Sequence, residues 1–182
     1  MLSLEERKAL LDLARSTIRA KLDHMVPAPK EAQDAVLMEP RGAFVTLHRK
    51  GALRGCIGIV EAIKPLWRTV SEMALASAFS DPRFPPLGKE EYDSIEIEIS
   101  VMSPVRRIDT VDEIEVGTHG IIIKRGFQQG LLLPQVAVEE GWGRETFLEH
   151  TCYKAGLGGG CWKRPGTEIS VFSAEVFSER TV

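Results

Sequence analysis

The sequence has no long hydrophobic run, little cysteine and almost no net charge, and each shortage argues against a class of protein. Its apolar runs, such as Gly120–Ile123, stop far short of the ~20 residues that a membrane-spanning helix requires. The 26 acidic and 23 basic residues give a net charge of −3 without a basic block, so we expect no nucleic-acid partner. The first residues lack the basic segment and apolar core of a secretory signal, and we expect a cytoplasmic protein without a membrane contact.

The three cysteines, Cys56, Cys152 and Cys161, are too few and too irregularly spaced for a disulfide framework or a four-cysteine zinc site. We therefore expect all three to be free thiols. His150 and Cys152 lie two positions apart in a predicted helix, where their side chains point in different directions, so they make a poor metal pair. Nucleotide-binding, zinc-protease and serine-hydrolase motifs are also absent from the sequence, and we predict neither a metal nor a bound cofactor.

The sequence does contain a clear succession of helix and strand patterns. A capping box over Ser3–Glu6 begins an amphipathic helix whose apolar stripe runs to Met25. The later patterns predict strands over Ala43–His48 and Leu53–Val60, a helix over Lys64–Ser80, a strand over Ile95–Met102, strands over His119–Lys124 and Gln129–Leu133, helices over Pro134–Val138 and Arg144–Leu157, and a final strand over Ile169–Phe177. The hydrophobic content of 43% is that of a folded chain rather than a disordered one.

Two tight turns indicate how the strands pair. Lys50-Gly51 joins the first two strands and Arg125–Gln128 joins a later pair, and turns this short connect antiparallel neighbours. We therefore predict an α+β fold of mainly antiparallel sheets flanked by helices, without a parallel βαβ core. The length fits one domain over residues 1–182, built as two closely packed subdomains.

The hexad Leu53–Gly58 has the clearest chemical content. In a regular strand Arg54 and Cys56 project from the same face, and Gly58 leaves space beside them. An arginine close to a thiol favours the thiolate, which is the form that acts as a nucleophile or a metal ligand. The structural alternative is a small buried cysteine that fills one layer of the sheet, with Arg54 at its edge.

Three further residues are candidates for the same site. His119 begins a strand and is either a base toward Cys56 or a histidine satisfied by a neighbouring carbonyl. Glu98 is either an acid–base group or one of the glutamates that the solvated face of a sheet commonly carries. Arg83 lies in a loop stiffened by prolines and either binds a carboxylate or phosphate, or braces an acidic residue such as Asp81.

The hexad Leu53–Gly58 resembles the signature of the AMMECR family, and other family-like motifs follow in the same order. These motifs are Asp81–Pro86, Ile95–Ser103, Thr118–Ile121, Leu132–Ala137 and Lys154–Leu157. The resemblance implies an α+β fold of two lobes around an antiparallel sheet, with the hexad lining a cleft between the lobes. It implies no established reaction, but it does imply an association with Memo-type and radical S-adenosylmethionine proteins.

Two functional hypotheses follow from these residues. In the first, the protein is an enzyme in which Cys56 is the nucleophile and His119 the base, acting on a small anionic or carbonyl substrate. The residues that would contact this substrate are Arg54, Gly55, Gly58, Arg83 and Glu98. In the second, the cleft is non-catalytic and binds a ligand or a partner protein, such as a Memo-type or radical S-adenosylmethionine protein.

Overall fold

The computed structural model describes residues 1–26 and 34–182, and the helices and strands expected from the sequence form within this range. The helices are α1 (Leu4–Leu22), α2 (Leu66–Phe79), α3 (Pro134–Glu139) and α4 (Arg144–Lys154). The strands are β1 (Ala43–Arg49), β2 (Ala52–Ile59), β3 (Ile95–Met102), β4 (Arg106–Arg107), β5 (His119–Arg125), β6 (Gln128–Leu132) and β7 (Glu168–Ser178). The short strand β4 was not predicted, nor were the 3₁₀ turns at Lys89–Ser94, Val111–Glu113 and Cys161–Lys163.

Helix α1 begins as its capping box predicts. The Ser3 hydroxyl accepts a hydrogen bond from the Glu6 amide at 3.2 Å, and the Glu6 carboxylate accepts one from the Ser3 amide. The buried residues of its apolar face include Leu10, Leu11, Ala14 and Ile18. Met25, which the periodicity assigned to the same stripe, is exposed, because the helix ends at Leu22 and the chain then turns through His24 in a left-handed conformation.

The described residues divide into two compact units, each with its own hydrophobic core. Unit 1 comprises Met1–Met102 and Glu175–Val182, and unit 2 comprises Ser103–Ala174. Strand β7 begins in unit 2, and its last residues, Glu175–Ser178, belong to unit 1.

Unit 1 contains a sheet in which β1 lies between β2 and β3, and both pairings are antiparallel. Alternate residues of β1 and β3 are fully buried against helices α1 and α2. The strand residues in this core include Val45, Leu47, Ile97 and Ile99, and the helix residues include Leu10, Ile18, Val70 and Ala74. The other face of β1 and β3 carries the intervening, half-buried residues.

Unit 2 is built around β5, which pairs antiparallel with β6 on one side and with β7 on the other, while β4 also pairs with β7. Residues of helix α4 pack into the same core as residues of these strands, and the fully buried side chains there include Ile121, Ile123, Phe147 and Leu148. The predicted antiparallel pairing and the α+β class are therefore confirmed. Among the described residues, no helix combines the length and apolar character needed to cross a membrane.

The expectation of three free thiols is wrong, because Cys152 and Cys161 form a disulfide whose Cα atoms are 5.9 Å apart. Both cysteines are fully buried in the core of unit 2. After α4 ends, the chain turns back through Gly158–Gly160, and this return brings Cys161 beside the helix. Such a contact depends on the loop path rather than on a sequence motif, and the spacing of nine residues therefore did not reveal it.

Candidate functional site

The β1–β2 hairpin contains a β-bulge at Arg54. Gly55 lies opposite Leu47 in the hairpin register. The next residue of β1, His48, lies opposite Leu53, so Arg54 is an extra residue without a partner on β1. The alternation of side chains along β2 is interrupted at this position.

This bulge decides which face of the sheet carries Cys56. A hairpin with the same turn and no bulge would place Cys56 opposite Val45, whose side chain is fully buried in the core. With the bulge, Cys56 lies opposite Thr46 instead, on the face away from that core. The expectation that Arg54 and Cys56 share a face relied on unbroken alternation, and the observed register removes its basis.

Cys56, Thr46 and Glu98 form a row across the three strands of unit 1. Thr46 lies opposite Cys56 on β2 and opposite Glu98 on β3. Its hydroxyl donates a hydrogen bond to the Cys56 sulfur, with 3.3 Å between the oxygen and the sulfur. All three residues are half-buried, and Cys56 is a free thiol. The row thus places a thiol, a hydroxyl donor and a carboxylate on one face of one sheet.

A short loop after α2 fixes the backbone of Cys56 from the outer edge of β2. The Cys56 amide donates to Asp81 Oδ2 at 2.8 Å, and Arg83 Nη2 donates to the Cys56 carbonyl at 3.1 Å. Asp81 and Arg83 also pair with each other, through Nε to Oδ1 at 3.0 Å and Nη2 to Oδ2 at 2.8 Å. The sequence suggested that Arg83 either binds a carboxylate or phosphate, or braces an acidic residue such as Asp81. In the structure its side chain forms the ion pair with Asp81.

Asp81 and Arg83 of this loop shift each other's pKa values in opposite directions. The hydrogen bonds from the Arg83 side chain, together with those from the Cys56 and Arg83 amides, hold the pKa of Asp81 well below its usual range although burial opposes the shift. The Asp81 carboxylate in turn raises the pKa of Arg83, and the Cys56 sulfur contributes in the same direction. Arg83 is therefore the cation that binds the backbone of the residue carrying the thiol.

Helix α2 approaches this part of β2 very closely. The Ser77 hydroxyl donates to the Val45 carbonyl at 2.6 Å and accepts from the Ile57 amide at 2.9 Å, so it bridges β1 and β2 beside Cys56. A Cβ atom on Gly55 would lie 2.2 Å from the Ser77 carbonyl oxygen. Gly55 is thus required by packing against the helix.

Gly58 has a similar structural explanation. The sequence suggested that it leaves space for a substrate beside Cys56. In the structure, a Cβ atom on Gly58 would lie 2.2 Å from Cγ of Phe44, the residue opposite it on β1. The space at Gly58 is therefore occupied by the Phe44 ring, and a substrate contact there stays a prediction.

Arg54 is buried, with 8% of its surface exposed, and its guanidinium meets a carboxylate that the sequence did not indicate. Nε and Nη2 donate to the two oxygens of Glu91 at 2.9 and 2.8 Å, and Nη2 also donates to the Pro85 carbonyl at 3.0 Å. Arg54 lowers the pKa of Glu91 to about 2, assisted by the Gly88 amide. These contacts make Arg54 an internal ion-pair partner, and its predicted contact with a substrate is not needed to explain its position.

His119 lies in unit 2, at the start of β5. Its Nδ1 accepts a hydrogen bond from the Glu115 amide at 3.1 Å. The partner is a backbone amide rather than the carbonyl considered from the sequence. The role of His119 as a base toward Cys56 stays a prediction. Within the described ranges, no group of three or more His, Cys, Asp or Glu residues is arranged to hold a metal ion.

Sequence reasoning missed three residues that shape this site, namely Thr46, Ser77 and Glu91. Thr46 lies within the strand predicted over Ala43–His48. Its position next to the thiol depends on a bulge that has no reliable sequence signal. Ser77 was a small residue within a helix pattern, and Glu91 lay outside any predicted element. Their contacts with the hairpin are tertiary, so local periodicity alone does not reveal them.

Comparison with known proteins finds relatives whose sequences match nearly the whole chain. The AMMECR1 family model matches residues 11–177. A protein of Methanopyrus kandleri is 46% identical and covers 98% of this chain and 90% of its own length. A protein of Methanothermobacter thermautotrophicus is 43% identical and covers 98% of this chain and 96% of its own length.

A solved structure supports the fold. The crystal structure of an uncharacterized protein from Pyrococcus horikoshii matches with a TM-score of 0.79 and 42% identity, over 94% of this chain and 90% of that chain. The likeness thus extends from the sequence motifs to the α+β architecture around the Cys56 hairpin. The chain belongs to the AMMECR1 family.

Proposed function

We propose that Cys56 is a reactive thiol and that the protein is a cysteine-dependent enzyme acting on a small carbonyl or anionic substrate. The observation that supports this most directly is the hydrogen bond that the Thr46 hydroxyl donates to the thiol sulfur, with the Arg83 guanidinium bound to the backbone carbonyl of the same cysteine. A hydroxyl donor and a cation close to a cysteine are the groups that favour negative charge on sulfur, which is the charge of the nucleophilic form. A cysteine that merely filled a layer of the sheet would need neither contact.

The chemistry consists of one addition step. The Cys56 sulfur forms a bond to a carbonyl carbon, and the π electron pair of the carbonyl moves to its oxygen. Arg83 Nη1 has no hydrogen bond to a described residue, and about half of the side chain is exposed, so it is available to stabilise that oxygen or a substrate carboxylate. The thiol proton passes to a base, for which Glu98, in the same row of unit 1, is the candidate.

The alternative class is a non-catalytic module that binds a ligand or a partner protein. This alternative is favoured by the fact that Arg54 and Arg83 already pair with Glu91 and Asp81, because a paired arginine offers less free charge to a substrate. Partnership with Memo-type or radical S-adenosylmethionine proteins, which the family resemblance implies, fits either class. A reactivity measurement on Cys56 separates the two.

The test is the rate at which iodoacetamide alkylates Cys56, followed by intact mass at neutral pH without a reductant. Cys152 and Cys161 are in a disulfide, so the first adduct reports Cys56. We expect Thr46→Val, which removes the hydroxyl and keeps the shape, to slow alkylation by about threefold or more, the value of one hydrogen bond. Thr46→Ser should retain the rate of the wild type.

Arg83→Gln should slow the reaction as well, because it removes the cation that binds the Cys56 carbonyl. Its matched control is Arg68→Gln, since Arg68 is a similarly exposed arginine of unit 1 that pairs with Glu72. Equal alkylation rates in the wild type, Thr46→Val and Arg83→Gln would contradict a reactive thiol and favour the binding module. Failure of iodoacetamide to alkylate Cys56 in the folded wild type would also contradict a reactive thiol and favour the binding module.

A further inference from the structure

His48 lies on the same face of the unit 1 sheet as Cys56. Strand β1 pairs with β3 without interruption, so Phe44, Thr46 and His48 alternate onto the face away from the core. The bulge at Arg54 brings Cys56 onto that face as well, opposite Thr46. His48 is therefore the next residue of β1 on this face after Thr46, and it is a diagonal neighbour of the thiol.

The groups around the thiol differ in their ability to accept its proton. The Thr46 hydroxyl donates its own proton to the sulfur, with 3.3 Å between the two atoms. On one side along the strands, Gly58 has no side chain and lies against the Phe44 ring. On the other side lie the aliphatic side chain of Leu53 and, opposite it, the imidazole of His48. Of these four neighbours, His48 carries the basic group.

The spacing of the sheet brings this imidazole within reach of the sulfur. Diagonal residues on neighbouring antiparallel strands lie about 7–8 Å apart, a distance that aromatic and long side chains span. His48 is half-buried, and its ring nitrogens form no hydrogen bond with any residue of the ranges 1–26 and 34–182, the thiol included. A rotation of the ring or one bridging water therefore suffices to connect His48 to Cys56.

Two carboxylates of β3 approach the imidazole from the other side. Glu96 lies directly opposite His48, and its carboxylate is bound by Arg180 Nε at 2.6 Å. Glu98 lies two positions further along β3, diagonal to His48, and forms no ion pair with a described residue. An unpaired carboxylate near an imidazole stabilises its protonated form. The titratable groups around His48 are thus the Cys56 thiol on β2 and these two carboxylates on β3.

We propose that His48 is the proton acceptor of Cys56 and that Glu98 stabilises the resulting imidazolium, a role that rests on the proposed reactivity of Cys56. The imidazole takes the proton from Sγ and leaves a thiolate, which adds to the carbonyl carbon of the substrate. The imidazolium then gives the proton to the oxygen that received the π electron pair, so the product is a neutral thiohemiacetal. The imidazole is the nearer acceptor, because Glu98 lies two strand spacings, about 9–10 Å, from the thiol.

The experiment measures alkylation of Cys56 by iodoacetamide from about pH 5.5 to 9 in the wild type and in His48→Gln. An isolated thiol loses its thiolate about tenfold for each pH unit below its titration range, whereas a thiol paired with an imidazole keeps the thiolate at lower pH. We expect His48→Gln to react about tenfold or more slowly than the wild type near pH 6, and to approach the wild-type rate near pH 9. Glu98→Gln should give an intermediate rate near pH 6.

The matched control is His24→Asn. His24 is an exposed histidine of unit 1, and its left-handed backbone conformation is one that asparagine also adopts. This variant should keep the wild-type pH profile. The profile also separates the proposed role from a structural one, because a side chain that only packed on the sheet would change the rate by the same factor at every pH.

A second measurement does not depend on alkylation. The imidazole signals of the four histidines are followed by NMR as a function of pH, and the signal of His48 is identified with His48→Gln. Because two groups that share a proton titrate jointly, Cys56→Ser should move the titration of His48 by about one pH unit toward lower pH and leave that of His24 in place.

The two proposals fail in different ways. The role of His48 is overturned if His48→Gln has the wild-type pH profile, or if the titration of His48 is the same in Cys56→Ser as in the wild type; a reactive Cys56 would survive either result. A wild-type thiol that is not alkylated at any of these pH values overturns the cysteine-dependent enzyme, and the role of His48 with it. If His48→Gln does not fold, the titration in Cys56→Ser decides.

Discussion

Gly55 shows how much a single residue decides in this hairpin. It lies where the backbone of helix α2 passes closest to β2, and the missing side chain is what permits the Ser77 hydroxyl to bridge the two strands. The contact is backbone against backbone, so a larger residue finds no flexible side chain that could move aside. The position of the Cys56 thiol therefore depends on a neighbour that has no functional group at all.

We expect Gly55→Ala to lower the free energy of unfolding by about 1–3 kcal/mol, because its Cβ would force the helix and the strand apart. Urea unfolding followed by circular dichroism measures this loss. Gly143→Ala is the control, since a Cβ there meets no atom within 4 Å and the backbone suits alanine. We expect that control to cost less than about 1 kcal/mol. Equal losses in both variants would show that the close approach at Gly55 is not the cause.

Glu91 makes the stability of unit 1 depend on pH. Arg54 and the other contacts lower its pKa from 4.5 to about 2 in the folded state. Because the folded value is lower than the unfolded one, this carboxylate stabilises the fold above about pH 4.5, and the contribution is lost as the pH falls toward 2. In Glu91→Gln we expect lower stability at pH 7 and a smaller further loss between pH 4.5 and 2.

The measurement is the midpoint of urea unfolding over that pH range, with Glu90→Gln as the control for removing an exposed neighbouring charge. Asp81 has a lowered pKa as well, so some acid sensitivity should persist in the variant. A slope in Glu91→Gln as steep as that of the wild type would mean that the Arg54–Glu91 pair does not contribute.

At the scale of elements, the most consequential connection is the disulfide between helix α4 and the turn that carries Trp162. It closes a short loop, and loops of this length gain about 2–3 kcal/mol from the entropy removed from the unfolded chain. We expect reduction with dithiothreitol to lower the stability of unit 2 by that amount. Hydrogen exchange of the α4 amides, compared between the oxidised and the reduced protein, measures the change.

Cys56→Ala provides the control for this experiment, because its disulfide is intact and its free thiol is absent. It should show the same difference between the oxidised and the reduced form as the wild type does. Unchanged exchange of the α4 amides after complete reduction would contradict a stabilising role for the disulfide.

Most elements could be predicted because their signals are local. The capping box at Ser3, the period-two pattern of β3 and the turn at Lys50-Gly51 each depend on residues close together in sequence. The bulge at Arg54 could not be predicted, because a single extra residue in a strand leaves no reliable sequence signal. The placement of Arg54 on the same face as Cys56 relied on the unbroken alternation that this bulge interrupts.

At the scale of the whole molecule, the two separate hydrophobic cores predict two separable stabilities. Leu148 is fully buried in the core of unit 2, and Leu10 is fully buried in that of unit 1. Truncating either one should cost about 2–5 kcal/mol. We expect Leu148→Ala to reduce hydrogen-exchange protection mainly in β5 and β6, and Leu10→Ala to reduce it mainly in β1 and β3. Equal losses in all four strands for both variants would show that the two cores unfold together.

The contacts around Cys56 also have a consequence for self-association. Within residues 1–26 and 34–182, β1 is the one strand neighbour of β2, and an open strand edge invites pairing with the edge of another molecule. At Cys56 the outward amide and carbonyl are already engaged by Asp81 and Arg83. A foreign strand would have to displace this ion pair before it could pair there, so the loop that positions the thiol also protects the middle of β2 from fibril-like growth.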